Sequence, residues 1–362
     1  MKLNLQRSDL LRAAEACAAI ADKKSTMPIL ANLKLDADAG TLSATDLYLQ
    51  TTQTIDATDS GSVCVPARDF ADRVRNMPDG ELTVSTNKAL AVTIKSGKRR
   101  YTMMGISGDD FPELQQFAGE WQEVERLPLL DAIEATLYAI STDETRLHLN
   151  SLFMTSEEGK LVCVATDGHR LALDRQPIAW ECGPKANILV PRNGALILRK
   201  LLSDAKSSKS VLVGVTESRL HVSNGNDKFA VKLVDAEFPP YQQVIPERST
   251  AEIRIDRLAL LNAARAVSVA ASERTGGIKL SFKDGECIIE SISPEGGEGY
   301  DSIPIETEHD GELFFGCSGK YLAEALSSFV GDTVTLGVSG ELDPVTIGDG
   351  GQRLNVTMPM RV

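Results

Sequence analysis

Apolar and polar positions along the chain repeat one order three times. Leucines and alanines recur at three- and four-residue spacing through 8–16, 129–135 and 256–264, which predicts helices with one buried face each. Two alternating runs around a turn follow each helix: 33–36 and 42–46 about Gly40, 152–154 and 162–167 about Gly159, and 278–282 and 287–289 about Asp284-Gly285. A second helix opens at Val65-Pro66-Ala67-Arg68, Val190-Pro191-Arg192-Asn193 and Cys317-Ser318-Gly319-Lys320, where proline or serine suits a helix start. Further runs at 82–85, 211–215 and 334–338 follow, and the first two copies end alike in Asp110-Phe111-Pro112-Glu113-Leu114 and Glu237-Phe238-Pro239-Pro240-Tyr241. The pattern predicts an α+β domain used three times in tandem, at 1–119, 120–246 and 247–362. A repeat of roughly 120 residues is far longer than solenoid units, so each copy is expected to hold its own core.

Length and composition agree with that division. A chain of 362 residues is too long for one ordinary core, and 42% hydrophobic with 25% charged residues describes a soluble globular protein. The longest apolar runs, such as 259–271, are broken by Asn262 and Arg265, which argues against a membrane span. The first residues alternate like a strand and lack the basic and apolar blocks of a signal peptide, so a cytoplasmic protein is expected. Cys17, Cys64, Cys163, Cys182, Cys287 and Cys317 are scattered singly and are expected to be reduced and mostly buried.

A net charge of −13 argues at first against nucleic acid, because affinity for DNA comes largely from Lys and Arg neutralising phosphates. Placement changes that picture. The helical segments predicted at 7–24, 66–78, 125–142, 191–209, 256–274 and 318–331 carry 17 Lys or Arg against 12 Asp or Glu, so they net +5 and the remainder −18. A basic layer in an acidic shell suits a protein that surrounds DNA without gripping bases, although mixed charges on solvated helices give a similar count. Six helices side by side close a circle of roughly 19 Å at their axes, too narrow for a duplex, whereas twelve give roughly 38 Å and an opening of about 27 Å. A ring around DNA therefore needs at least two copies of the chain.

Five strings carry a family likeness. Thr26-Met27-Pro28-Ile29-Leu30-Ala31-Asn32, Arg146-Leu147-His148-Leu149-Asn150, Ala165-Thr166-Asp167-Gly168-His169-Arg170-Leu171-Ala172, Glu237-Phe238-Pro239-Pro240-Tyr241 and Met358-Pro359-Met360-Arg361-Val362 resemble, in order and spacing, the bacterial sliding clamp, the beta subunit of DNA polymerase III. The similarity covers the whole chain. It implies two subunits joined head to tail in a closed ring that encircles duplex DNA without sequence preference, with no catalysis and no cofactor. The implied protein partners are the DNA polymerase III alpha subunit, the clamp loader, and other polymerases and repair proteins, which dock short linear peptides between the second and third domains.

By position, the resemblance assigns that pocket Leu149, Thr166, Gly168, His169, Arg170, Leu171, Pro239, Val244, Ser318, Tyr321, Leu342, Val356, Met358, Pro359, Met360 and Arg361, with Thr275 and Pro344 at its edge. The chain departs from the usual pattern in places. An aromatic is common where Thr275 stands, arginine where Gln242 and Gln243 stand, and a small polar residue where Pro344 stands, which bears on peptide affinity and leaves room for a specialised second clamp. The resemblance places Tyr101 and Met103 on one side of the subunit joint, and Val269 and Ala270 on the other. It supports Lys24 and Arg146 as phosphate contacts, to which the charge pattern adds Lys23, Arg73, Arg192, Arg199 and Lys200.

The residues give the pocket partial support of their own. The first copy reads Ala44-Thr45-Asp46-Leu47-Tyr48-Leu49 where the second reads Ala165-Thr166-Asp167-Gly168-His169-Arg170-Leu171, which reads as an insertion of a turn-forming glycine and two polar groups. A hairpin turn nucleated by Asp167-Gly168 explains the same string without a partner. Met358 and Met360 either pack a terminal strand or line a surface that accepts varied partners. His148, His169, His221 and His309 show no metal-binding spacing, and no phosphate loop or nucleophile elbow is present. Asp167 beside His169 has no nucleophile to complete a catalytic set. The rival reading is a three-domain scaffold that binds proteins and never threads DNA.

Overall fold

Every predicted helix is entered straight from a strand, with no loop residue between. The computed structural model describes residues 1–56, 59–181, 183, 187–203, 208–225, 227–272, 276–292 and 297–361. Among these are six α-helices: α1 (Arg7–Ile20), α2 (Ala67–Arg75), α3 (Arg126–Leu137), α4 (Arg192–Ser203), α5 (Arg257–Ser268) and α6 (Gly319–Ser328). The apolar spacing buries the expected face, with Leu10, Ala13, Ala14, Cys17 and Ile20 covered on α1 and Leu260, Leu261, Ala263, Ala264 and Val267 on α5. All six helices are shorter than the sequence pattern suggests. Within their observed bounds they hold twelve Lys or Arg against seven Asp or Glu, so the surplus of +5 persists.

Part of that surplus is structural. The first residue of α1, α3 and α5 is arginine, and each guanidinium reaches carbonyls at or just beyond the C-terminal end of the second helix of its own copy. Arg7 Nε donates to Val74 O at 3.3 Å and its Nη2 to Arg75 O at 2.6 Å. Arg126 donates to Leu202 O and, at 2.9 Å, to Ser208 O. Arg257 Nε donates to Gly331 O at 2.6 Å and its Nη1 to Leu326 O at 3.5 Å. The backbone repeats the device, because the N–H groups of the same three arginines donate to Gly80 O, Lys209 O and Asp332 O. A cation at this position satisfies carbonyls that the helix leaves unpaired and faces the negative end of its dipole.

The strands form one large sheet in each of two compact units. The first unit comprises Met1–Arg126, Cys182–Lys185 and Lys200–Leu233. It holds a four-stranded sheet ordered Lys2–Gln6, Glu81–Thr86, Ala91–Ser96, Arg99–Met104, and a nine-stranded sheet. The nine-stranded sheet passes from the middle copy to the first where Asp227–Lys232 pairs antiparallel with Leu49–Thr54, Val231 standing opposite Leu49. The second unit comprises Leu127–Glu181, Ala186–Arg199 and Val234–Val362 and holds a twelve-stranded sheet. That sheet passes from the middle copy to the third where Arg170–Ala179 pairs with Arg353–Thr357.

The middle copy therefore contributes strands to both large sheets. Its strands are divided between the two units because its edge strands find backbone partners in the neighbouring copies. The third copy does hold an apolar core of its own, built on Ile253, Leu260, Leu280, Phe315, Leu326 and Leu336. Cys17, Cys64, Cys163, Cys287 and Cys317 are free and buried. Burial pushes the Cys64, Cys287 and Cys317 thiols up to about 12, which keeps them protonated and unreactive. Cys182 lies outside the described residues. No described helix is long and apolar enough to cross a membrane.

If the arginine caps hold the two helices of a copy together, Arg126→Met and Arg257→Met should each cost about 1–2 kcal/mol. Urea denaturation should show this as a lower midpoint with an unchanged slope. Unchanged midpoints in both variants would mean that the capping bonds carry no stability.

Candidate functional site

The turn singled out in the second copy has an equal in the first. Asp167 Oδ1 accepts from His169 N at 2.9 Å and Arg170 N at 3.1 Å, while Thr166 Oγ1 accepts from Gly168 N and donates to Arg170 O at 2.6 Å. Asp46 Oδ1 likewise accepts from Tyr48 N at 2.9 Å and Leu49 N at 2.6 Å, while Thr45 Oγ1 accepts from Leu47 N and donates to Leu49 O at 2.8 Å. Thr45 stands opposite Gln50 and Thr166 opposite Leu171, so the two turns are equal in length. The expected insertion is corrected: Gly168, His169 and Arg170 replace Leu47, Tyr48 and Leu49. Gly168 at φ +91° and Leu47 at φ +77° both lie in the left-handed region, cheap for glycine and strained for leucine.

Replacing an apolar Leu49 by Arg170 makes the seam between the second and third copies ionic. Arg170 Nε donates to Asp167 Oδ2 at 3.0 Å, Nη1 to Glu324 on α6, and Nη2 to Tyr138 O at 2.8 Å. Its guanidinium carbon lies 4.3 Å from the Tyr321 ring centroid and 5.1 Å from that of Tyr138. So many fixed partners make Arg170 a brace. His169 is exposed beside it, its ring stacked on Tyr321 with centroids 6.5 Å apart. Ser318 caps α6, its Oγ accepting from Tyr321 N at 3.4 Å.

A second ionic group braces the same seam four residues along. Arg353 Nε donates to Asp174 Oδ2 at 2.8 Å, Nη1 to Ser328 O, and Nη2 pairs with Asp131. Gln176 Nε2 donates to Asp174 Oδ1 at 2.6 Å. Asp174 is completely buried and Arg353 is 8% exposed. Burial pushes the Asp174 carboxyl above the usual range, against the opposing pull of its bonds from Arg353 and Gln176.

The other face of the seam is apolar. Leu171, Val244 and Val356 pack with Val162, Leu173 and Tyr241, and Phe238 stacks flat on Phe153 at 4.7 Å. Pro239 follows Phe238, half-buried. The chain end ties the copies together, since Met358 N donates to His169 O at 2.9 Å and Met360 N to Gly316 O at 2.8 Å. Met358, Pro359 and Met360 are half-buried and Arg361 is exposed. Leu149 is buried where its carbonyl accepts from Ser141 N. Leu342 stands exposed on a turn with Pro344 half-buried beside it, and Gln242 and Gln243 are exposed. Thr275 lies outside the described residues.

The remaining candidates divide. Arg99–Met104 is the outer strand of its sheet, with Tyr101 half-buried. Met103 is only 6% exposed because it points into its own sheet, and the outward residue is Met104 at 68%. Among the described residues, 298–304 have a strand partner on one side only, and near that open edge Val269 is 87% exposed with Ala270 half-buried. Lys23, Lys24, Arg146, Arg199 and Lys200 are exposed and Arg192 is half-buried, with Arg146 pairing to Asp143 at 3.3 Å. Arg73 pairs with Asp69 at 3.0 Å and donates to Thr102 O at 2.6 Å, on the open edge strand.

Comparison with known proteins accounts for the repeat. Family models of the DNA polymerase III beta subunit match the chain in series, the N-terminal domain over 1–115, the central domain over 123–240 and the C-terminal domain over 242–361. The chain belongs to the DNA polymerase III beta subunit family. The beta sliding clamps of Pseudomonas putida and Escherichia coli are each 28% identical to it, with both chains covered completely. Among solved structures, the DNA polymerase III subunit beta of Pseudomonas aeruginosa superposes with a TM-score of 0.90 at 27% identity over the whole of both chains. The sliding clamp of Bartonella birtlesii, solved bound to griselimycin, gives 0.90 at 30% identity and the same coverage.

At Gly168 an added Cβ would meet nothing within 4 Å, so Gly168→Ala tests the backbone alone. It should cost about 1–2 kcal/mol, the penalty of a left-handed alanine. Thermal denaturation reads it as a lower Tm, and an unchanged Tm would mean that the turn carries no strain.

Proposed function

We propose that the chain is a sliding clamp: a non-catalytic, cytoplasmic homodimer, closed head to tail around duplex DNA, that tethers polymerases, the clamp loader and repair proteins. The domain divisions are taken at 1–119, 120–246 and 247–362. The observation that carries the docking part of this reading is the chain end, bonded to both copies through Met358 and Met360 beside the apolar group of Leu171, Val244 and Val356. A partner peptide with a Gln followed by Leu and Phe would bury its apolar side chains there. Each burial contributes on the order of 1.5–3 kcal/mol before ordering costs, which gives a modest affinity suited to exchange.

The subunit joint takes the two open strand edges, because pairing them satisfies their backbone and removes an aggregation hazard. Arg99 and Arg100 stand exposed on one, while Glu298 and Asp301 lie on the other. Contacts from Lys23, Lys24, Arg146, Arg192, Arg199 and Lys200 to phosphates carry no sequence information and weaken with salt, as sliding requires. Membership of the clamp family favours this over a scaffold that never threads DNA.

Deleting residues 358–362 should abolish binding of the Gln-Leu-Phe peptide and leave the dimer intact. A fluorescence titration showing full affinity in the truncated protein would place the pocket elsewhere. Reversing both Arg99 and Arg100 to Glu should convert a dimer to monomers in sedimentation velocity, and an undisturbed dimer would move the joint away from this edge.

A further inference from the structure

The seam between the first and second copies repeats the backbone of the seam between the second and third. Lys232 N donates to Tyr48 O at 2.8 Å as Met358 N donates to His169 O at 2.9 Å. Leu49 stands opposite Val231 as Arg170 stands opposite Thr357, so Gln50 and Ala230 occupy the places of Leu171 and Val356. The side chains differ. Where the second seam packs apolar groups, the first leaves a cavity of about 270 Å³ walled by Gln50, Thr52, Phe117, Trp121, His221 and Lys228 among others.

The wall that closes this cavity is held in place. Gln50 Nε2 donates to Gln115 O at 2.6 Å and its Oε1 accepts from Gln115 N at 3.2 Å, which anchors the segment leading to Phe117. Phe117 lies on the sheet over Gly214, where an added Cβ would stand 2.3 Å from the ring. Trp121 meets the Phe117 ring edge-on at 4.5 Å, and the His221 ring lies at 5.1 Å. Gly214 is thus the residue that lets an aromatic ring rest on the sheet.

His221 is the group without an explanation. It is 5% exposed, it lines the cavity, and its ring hydrogen-bonds to nothing among the described residues. Burial, with Arg219 nearby, pushes its pKa down to about 4, so the imidazole is neutral and offers one donor and one acceptor. The ring is therefore free to exchange a hydrogen bond with whatever occupies the cavity. The cavity is much larger than one water needs and smaller than the roughly 300–1,000 Å³ of a drug-sized site, which leaves room for one flat side chain. Among the described residues its walls include the cation Lys228 and no carboxylate, which disfavours a basic side chain.

We propose that the first seam is a second docking site, at which a partner segment inserts a tyrosine side chain against Phe117 with its hydroxyl donating to His221. The proposal rests on the reading of the second seam as a peptide site. It is tested on the intact protein with ¹⁵N-labelled histidine. The chain has four histidines, and His221→Leu identifies the ring resonances that matter. N-acetyltyrosinamide should shift the His221 ring nitrogens saturably, and N-acetylphenylalaninamide should bind about five-fold more weakly, the effect of one lost hydrogen bond. Phe117→Ala should weaken both. No saturable shift at His221, or equal binding of the two probes, overturns the proposal. Titration of the Gln-Leu-Phe peptide into the same sample is a separate readout, so a failure at the second seam is distinguished from a failure here.

Discussion

The second unit depends on five backbone-paired positions, Arg170 to Asp174 against Thr357 to Arg353, where a strand of the third copy continues the sheet of the second. Strand pairing fixes the register, and the register decides which side chains reach which face. Arg353 and Asn355 point to the helices, bonding to Ser328 and Ala325, while Leu354 and Val356 join the apolar group. A slip of one residue would bury Arg353 against valines and bring Val356 to the ionic side. The fully buried Asp174 opposes such a slip, because a buried carboxylate deprived of its arginine costs about 3–5 kcal/mol.

The candidate peptide site is a product of that register. Its apolar wall comes from both copies, and the chain end reaches it only because Thr357 has been delivered beside Arg170. Arg170 is held by Asp167, Glu324, Tyr138 and Tyr321, so the turn carrying His169 is fixed before any partner arrives. A wall ordered in advance leaves less entropy to be lost on binding. Charge follows a similar economy. Three of the twelve basic residues of the helices close helix ends, which leaves a thin cationic layer in a chain of net charge −13. Weak, salt-sensitive contact with phosphates is what such a layer can provide.

Much of the fold was legible because its elements are local. Three- and four-residue spacing located the first helix of each copy, start signals at Pro66, Pro191 and Ser318 located the second, and alternation located the hairpins around Gly40, Gly159 and Asp284-Gly285. The pairing of Lys228 with Thr52, or of Arg170 with Thr357, was not legible, because an edge strand does not encode in its own pattern which distant edge it will meet. The turn at Gly168 was misread by matching Leu49 to Leu171, when the bonds of Asp46 and Asp167 match Leu49 to Arg170. Along Arg99–Met104 alternation turns the Met103 side chain inward and Met104 outward, so at this edge Met103 can offer a partner its backbone and Met104 its side chain. Arg7, Arg126 and Arg257 were counted as surplus charge, yet their recurrence at the first helix of every copy was a visible signal of a shared structural role. His221 stands out in the sequence only as a histidine without metal-binding spacing, since Phe117, which packs beside it, is far from it in the sequence.

Two chains that close a ring hold DNA by topology and not by charge. The most direct measurement loads the protein with a clamp loader onto a nicked circular plasmid, isolates the complex by gel filtration at high salt, and then cuts the plasmid once. A sliding clamp stays with the circle through the salt and leaves after linearisation, because the ring runs off a free end. Loss from the intact circle as salt rises, or retention on the linear product, would contradict the account.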